Sequence, residues 1–132
     1  MIGIDTNILL RLTCQDDSIQ SKQALALAKR LTAEEPGFIN SSVLLEFIWT
    51  ARRRIKMSKE ELKAILSGLL DSDDLILEDE ALIEQTLDEM ARSAEEFADI
   101  FIALKNRALG CQTTMTFDRR AARTVPHMEL LT

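Results

Sequence analysis

An apolar run opens the chain and breaks at a single acid: Met1-Ile2-Gly3-Ile4, then Asp5, then Thr6-Asn7, then Ile8-Leu9-Leu10 up to Arg11. A run that short is a buried strand rather than a helix, and the polar pair after it can cap a helical turn. The stretch therefore reads as strand Met1 to Ile4 with Asp5 at its carboxyl end and Thr6 or Asn7 as the cap. Open parallel sheets bind ligands outside the carboxyl ends of their strands. An acid there, with Asn7 nearby, can hold a cation. The plainer reading is a strand-end or cap residue with no further role.

The rest of the chain continues the alternation. Asp16 to Leu31 has apolar residues at helical spacing and ends at Glu34-Glu35-Pro36-Gly37. Gly37 to Asn40 reads as a second strand. Ser41 or Ser42 caps a helix from Val43 to Arg54, and Ser58 caps another from Lys59 to Leu70, with Glu61 at capping-box spacing. Leu75 to Leu77 is a third strand. Ile83, Leu87 and Met90 share one face of a helix from Glu80 to Ala91. Ser93-Ala94-Glu95-Glu96 reads as the opening of a helix to about Leu109, with Gly110 as its C-cap. Cys111 to Phe117 is a fourth strand, Asp118 to Arg123 a helical turn, and Met128 to Leu131 an edge strand after Pro126. Strands alternating with helices predict a three-layer α/β/α fold. Its mostly parallel central sheet would have four to five short strands, with the N-terminal one near the centre.

At 132 residues the chain reads as one domain, 1–132, able to remove roughly two-thirds of its unfolded surface from water. No apolar run approaches the roughly 20 residues of a membrane span, and no secretion signal is read. Cys14 and Cys111 lie far apart without zinc-type spacing, so we expect two structural cysteines in a reducing cytoplasm. The net charge of −6 is not the usual footprint of a nucleic-acid binder. The total conceals two basic clusters, Arg52-Arg53-Arg54 with Lys56, and Arg119-Arg120 with Arg123.

Most acids sit in runs that look solvated, such as Asp16-Asp17, Asp71 to Asp74 and Glu78-Asp79-Glu80. Four stand alone in apolar surroundings: Asp5, Glu46, Asp99 and Asp118. An unpaired carboxylate is costly to bury, so such acids are usually hydrogen-bonded, paired or metal-bound. Asp5 and Asp118 follow strands, and Glu46 lies about one turn into a helix that starts at a strand end. Two carboxylates about 5 Å apart repel by roughly 3 kcal/mol at an effective dielectric near 20. A meeting of all four would thus require protonation or bound cations. An oxygen-only set suits Mg²⁺ or Mn²⁺, which serves attack on phosphodiesters.

The ordered set Ile4-Asp5-Thr6-Asn7-Ile8-Leu9-Leu10-Arg11, Val43 to Trp49 around Glu46, Ala98-Asp99-Ile100-Phe101-Ile102-Ala103 and Thr116-Phe117-Asp118 resembles the PIN-domain family. Within it the chain looks like a VapC-type toxin ribonuclease of toxin–antitoxin pairs. The resemblance spans nearly the whole chain. It implies that Asp5, Glu46, Asp99 and Asp118 hold one or two Mg²⁺ or Mn²⁺ ions and carry catalysis. It implies that Asn7 and Thr116 support them by hydrogen bonding. It further implies cleavage of single-stranded or looped RNA, a small VapB antitoxin as partner, and a homodimer. Arg11, Arg119 and Arg120 then fit RNA phosphates, against the alternative of solvated cations at helix ends. Phe47, Trp49 and Phe97 read first as core. Two competing readings remain. One is a PIN-like module that binds RNA or protein without catalysis. The other is a phosphatase using Asp5 as nucleophile, disfavoured because Asn7 stands where the haloacid dehalogenase type needs a second Asp.

Overall fold

Helices and short parallel strands alternate along the chain, as the spacing of apolar residues predicts, in an arrangement consistent with the expected α/β/α fold. The structure is a computed structural model and describes residues 1–14 and 18–132. The chain divides into two compact units, Met1–Glu78 and Asp79–Thr132.

The first unit contains β1 (Ile2–Gly3), α1 (Thr6–Thr13), α2 (Ile19–Arg30), β2 (Gly37–Ile39), α3 (Ser41–Arg53), α4 (Lys59–Leu70) and β3 (Leu75–Leu77). Its strands form a parallel sheet in the order β1-β2-β3, with Ile2 opposite Gly37 and Ile39 opposite Leu77. Within this unit β2, not β1, is the middle strand. The apolar opening run is short, and its partner on this sheet is β2 alone. Gly37 is required by close approach: a Cβ there would lie 2.9 Å from Leu75 Cδ2, 3.0 Å from Leu31 Cδ1 and 3.1 Å from Ile4 Cγ1. Those three apolar side chains close over the strand, and even an alanine would crowd them.

Side-chain caps fix where these helices start. Ser18 Oγ accepts from Ser21 N–H, Asn40 Oδ1 from Val43 N–H, and Ser58 Oγ from Glu61 N–H. Asn40 therefore caps α3 in place of Ser41 or Ser42, and Ser41 becomes its buried first residue. The expected start of α2 at Asp16 lies outside the described residues. Leu44, Phe47, Ile48 and Ala51 form the buried face of α3, and Leu62 and Leu66 that of α4. Trp49 departs from the core reading. It is 55% exposed, with the Arg54 guanidinium carbon 5.9 Å from its ring centroid. It sits two residues past Phe47, on the opposite side of the helix from the buried stripe.

The second unit contains α5 (Glu80–Arg92), α6 (Phe97–Ala108), β4 (Thr114–Thr116), α7 (Arg119–Thr124) and β5 (Met128–Leu130), with β4 and β5 paired in parallel. Ile83, Thr86, Leu87 and Met90 bury one face of α5, and the Thr86 hydroxyl is satisfied by donating to Leu82 O. Phe97 and Phe101 stack with centroids 5.6 Å apart. Gly110, at φ 103°, ends α6 by donating its N–H to Arg107 O. The start of α6 comes later than the Ser93 signature implies. Ser93 Oγ accepts from Glu95 N–H, a local turn, and helix begins only at Phe97. Cys14 is half-buried and Cys111 exposed, and neither is disulfide-bonded. For Cys111 the expected structural burial is not met. No helix among the described residues is long and apolar enough to cross a membrane.

The contrast between Phe47 and Trp49 is open to measurement by denaturant unfolding followed by circular dichroism. Phe47→Ala removes a fully buried ring and should cost about 3–5 kcal/mol. Trp49→Ala should cost no more than about 1 kcal/mol, the range of an exposed cation–π contact. Equal losses would mean that Trp49 is a core residue after all.

Candidate acidic site

Asp5 follows β1 in extended backbone and is the N-cap of α1: its Oδ1 accepts from the Thr6 N–H at 2.8 Å. The cap is the acid itself, one residue before the expected Thr6 or Asn7. Thr6 is buried, and its hydroxyl donates to Glu46 Oε1 at 2.8 Å across 40 residues of sequence. One threonine thus binds two of the predicted acids, Asp5 through its amide and Glu46 through its hydroxyl. The carboxylates of Asp5 and Glu46 belong to exposed residues, which leaves their outer oxygens open to solvent or a ligand.

A third acid in this unit was read from the sequence as solvated. Glu78 follows β3, and its Oε1 accepts from the Ser41 N–H at 2.8 Å, at the start of α3. Its signal was present: it comes at the carboxyl end of a short strand, as Asp5 and Asp118 do. The neighbouring Asp79 and Glu80 disguised it as a charge run. Asn7 and Arg11 line a cavity between α1 and α2, where Arg11 Nε donates to Gln20 Oε1 at 3.2 Å.

In the second unit Asp118 follows β4 and is the N-cap of α7. Its Oδ1 accepts from the N–H groups of Arg120 and Ala121, both at 3.0 Å. Thr116 Oγ1 accepts from the Asp118 N–H at 3.0 Å, so Thr116 touches the backbone of the acid it was expected to support. Asp99 lies in the first turn of α6 and is half-buried. Burial pushes its carboxyl above the usual carboxylate range, and the negative charges of Asp118, Glu95 and Glu96 push it further.

Glu95 is the residue the sequence reading missed in this unit. It is 6% exposed, and its Oε1 accepts from Arg120 Nε at 2.9 Å and from the Thr124 hydroxyl at 2.7 Å. Arg120 and Thr124 are four residues apart and so share one face of α7. The only signal in the sequence was their i, i+4 spacing. Glu95 joins the segment before α6, which carries Asp99, to α7, which starts at Asp118. Arg119 and Arg120 are both exposed residues, and Arg120 is engaged with Glu95 and, more weakly, with Ala94 O at 3.5 Å. In the other basic cluster, Arg52 donates to Met57 O at 2.6 Å and so closes the loop after α3.

The predicted ligands are all oxygen donors, the set that a hard divalent cation prefers. Asp5 and Glu46 come together on Thr6 in the first unit, and Asp118 acts electrostatically on Asp99 in the second. Among the described residues, no group of three or more His, Cys, Asp or Glu side chains is disposed to hold a metal ion.

Comparison with known proteins agrees with this architecture. The profile of the PIN domain matches residues 2–125, a span that includes all four predicted acids. No curated protein matches the chain. PIN domains are generally metal-dependent nucleases, and nucleic-acid binding goes with the fold. With the profile covering nearly the whole sequence, the chain belongs to the PIN-domain family.

Proposed function

We propose that this chain is an Mg²⁺- or Mn²⁺-dependent endoribonuclease, the toxin of a VapBC-type pair, acting as a single domain in the cytoplasm. The observation that carries the nuclease reading is the placement of Asp5 and Asp118. Each follows a parallel strand and is fixed by backbone amides at the start of the next helix. The order of all four acids within the family's span supports it further. The toxin role, the VapB antitoxin and a homodimer rest on the resemblance of the sequence motifs.

In this reading Asp5, Glu46, Asp99 and Asp118 hold the ion or ions. When bound, the metal acidifies an attacking water and neutralises charge at the phosphodiester. Thr6 orients two of the carboxylates by donating to both. Thr116 fixes the backbone of Asp118, and Glu95 holds α7 through Arg120 and Thr124. Asn7 supports the Asp5 end of α1. Arg11 and Arg119 bind RNA phosphates, and Arg120 does so only with the donors that Glu95 does not use.

Substitution by asparagine separates charge from structure, because an amide oxygen can still accept from the capped N–H groups. Purified chain should cleave a labelled single-stranded RNA in Mg²⁺ or Mn²⁺. EDTA should abolish cleavage, and Asp118→Asn should lower it by about 100-fold or more while the melting temperature without metal stays close to that of the parent. Equal cleavage by the variant would sink the assignment of Asp118. Asp118→Ala differs in kind: it also removes the cap of a six-residue helix and should cost about 1 kcal/mol of stability.

Asp99 gives a pH test. Its folded-state pKa is raised, so the folded chain binds its proton more tightly than the unfolded chain does. Stability then falls as pH rises from the ordinary carboxylate range through the raised value. Asp99→Asn should remove that decline and leave the metal-free fold as stable as the parent or more so at neutral pH. Saturating Mg²⁺ should raise the melting temperature of the parent more than that of the variant. A large loss of metal-free stability in Asp99→Asn, seen in melts from pH 4 to 8, would show that the acid is structural.

A further inference from the structure

The chain has a cavity of about 230 Å³ between α1 and α2 that the acidic site does not use. Its apolar lining includes Ile8 and Leu27, and its hydrogen-bonding lining is Asn7, Arg11, Gln20 and Gln23. Three carboxamides and a guanidinium around apolar contacts are an uncommon set. They carry no net negative charge, so the cavity does not extend the cation site. Its volume is several times that of a water molecule, about 30 Å³, and below the roughly 300–1,000 Å³ of sites for drug-sized ligands. That size suits a small planar group. A carboxamide carries a donor and an acceptor side by side, the pattern that pairs bidentately with adenine N6 and N7, and Asn7 and Gln23 supply it here while the Gln20 oxygen accepts from Arg11. Arginine is the matching donor for a neighbouring phosphate or guanine edge. The apolar lining offers contact to the face of a base.

Position adds a second argument. Asn7 and Arg11 are one helical turn apart on α1. Their side chains therefore share the face of α1 that lines the cavity. The bond from Arg11 Nε to Gln20 Oε1 holds the guanidinium of α1 against α2. Single-stranded RNA is read by unstacked bases inserted against side chains in this manner.

We propose that this cavity is a nucleobase subsite that takes a purine of the bound RNA, adenine first. The inference rests on the ribonuclease reading for its role in cleavage, but not for binding itself. Gln23 and Asn7 read the base edge, Arg11 faces the adjoining phosphate, and Ile8 and Leu27 contact the ring.

The test is a titration of the whole chain, without metal, with AMP, GMP, CMP and UMP. The readout is the NMR shifts of the ¹⁵N-labelled side-chain amides of Asn7, Gln20 and Gln23. AMP should shift these amides at lower concentration than CMP or UMP. Gln23→Leu, an exposed change on α2, should weaken AMP binding about tenfold and leave the melting temperature unchanged. In parallel, RNA oligonucleotides that differ in one base should be cut with a preference for adenine that Gln23→Leu reduces by a similar factor. Equal shifts with all four nucleotides would reduce the cavity to a phosphate contact and overturn the proposal. No shift with any of them would also overturn it and would leave the cavity to a protein segment. Selective AMP binding by a chain that cuts no RNA would sustain the subsite while the nuclease reading fell. RNA cleavage with a base preference untouched by Gln23→Leu would do the reverse.

Discussion

Backbone amides at helix starts hold the acidic side chains of this protein in place. Asp5 takes the Thr6 N–H, Asp118 those of Arg120 and Ala121, and Glu78 that of Ser41. The first N–H groups of a helix have no partner within it and carry the positive end of its dipole. An acid placed there gains hydrogen bonds and a favourable field without a cationic side chain. This explains how a chain of net charge −6 can set isolated carboxylates beside its strand ends.

Asp99 is the exception, and its surroundings account for it. It lies in the first turn of α6, but burial and three neighbouring acids outweigh the helix field, and its carboxyl is raised. Glu95, one of those neighbours, is more buried than Asp99, yet the Arg120 guanidinium and the Thr124 hydroxyl satisfy it. The two acids divide the work. Glu95 is paired with Arg120 and Thr124, whereas Asp99 lies among acids that disfavour its charged form. A group in that condition has the most to gain from a cation.

The sequence made the regular elements legible where local chemistry and burial agree. Ser58, Leu62 and Leu66 mark α4 with its cap and its stripe, and α4 starts and ends where they predict. Gly110 stops α6 because the backbone there takes a positive φ, which glycine adopts without a Cβ penalty. Legibility failed where a residue serves a distant partner. Ser93 reads as a cap, but the helix waits for Phe97, whose ring must stack on Phe101, and Glu95 is committed to α7. Glu78 reads as one charge among three because nothing local tells that its carboxylate reaches Ser41. Trp49 reads as core because tryptophan usually is, yet the buried face of α3 passes through Phe47 and Ile48 and leaves it outside. Of the site, the positions of the lone acids were visible in the chain, whereas the threonine and glutamate that hold them were not. Hydrogen bonds across 29 and 40 residues leave no periodic trace.

A carboxylate that caps a helix can serve folding with one oxygen and still offer the other to a ligand. The cap engages one oxygen of Asp118, and likewise one of Asp5. Each has a second oxygen that the helix does not use. A carboxylate offers about four lone-pair positions, so capping consumes only part of its accepting capacity. The helix fixes the orientation of the group before any ligand arrives, which lowers the ordering cost of binding one. Glu46 achieves the same through the Thr6 hydroxyl instead of an amide, because it sits inside a helix where the amides are already paired. That difference predicts which acids can tolerate loss of charge without loss of structure. Those held by an amide keep their hold when the acid becomes an amide side chain, and Glu46→Gln keeps its own through the carbonyl oxygen that Thr6 meets.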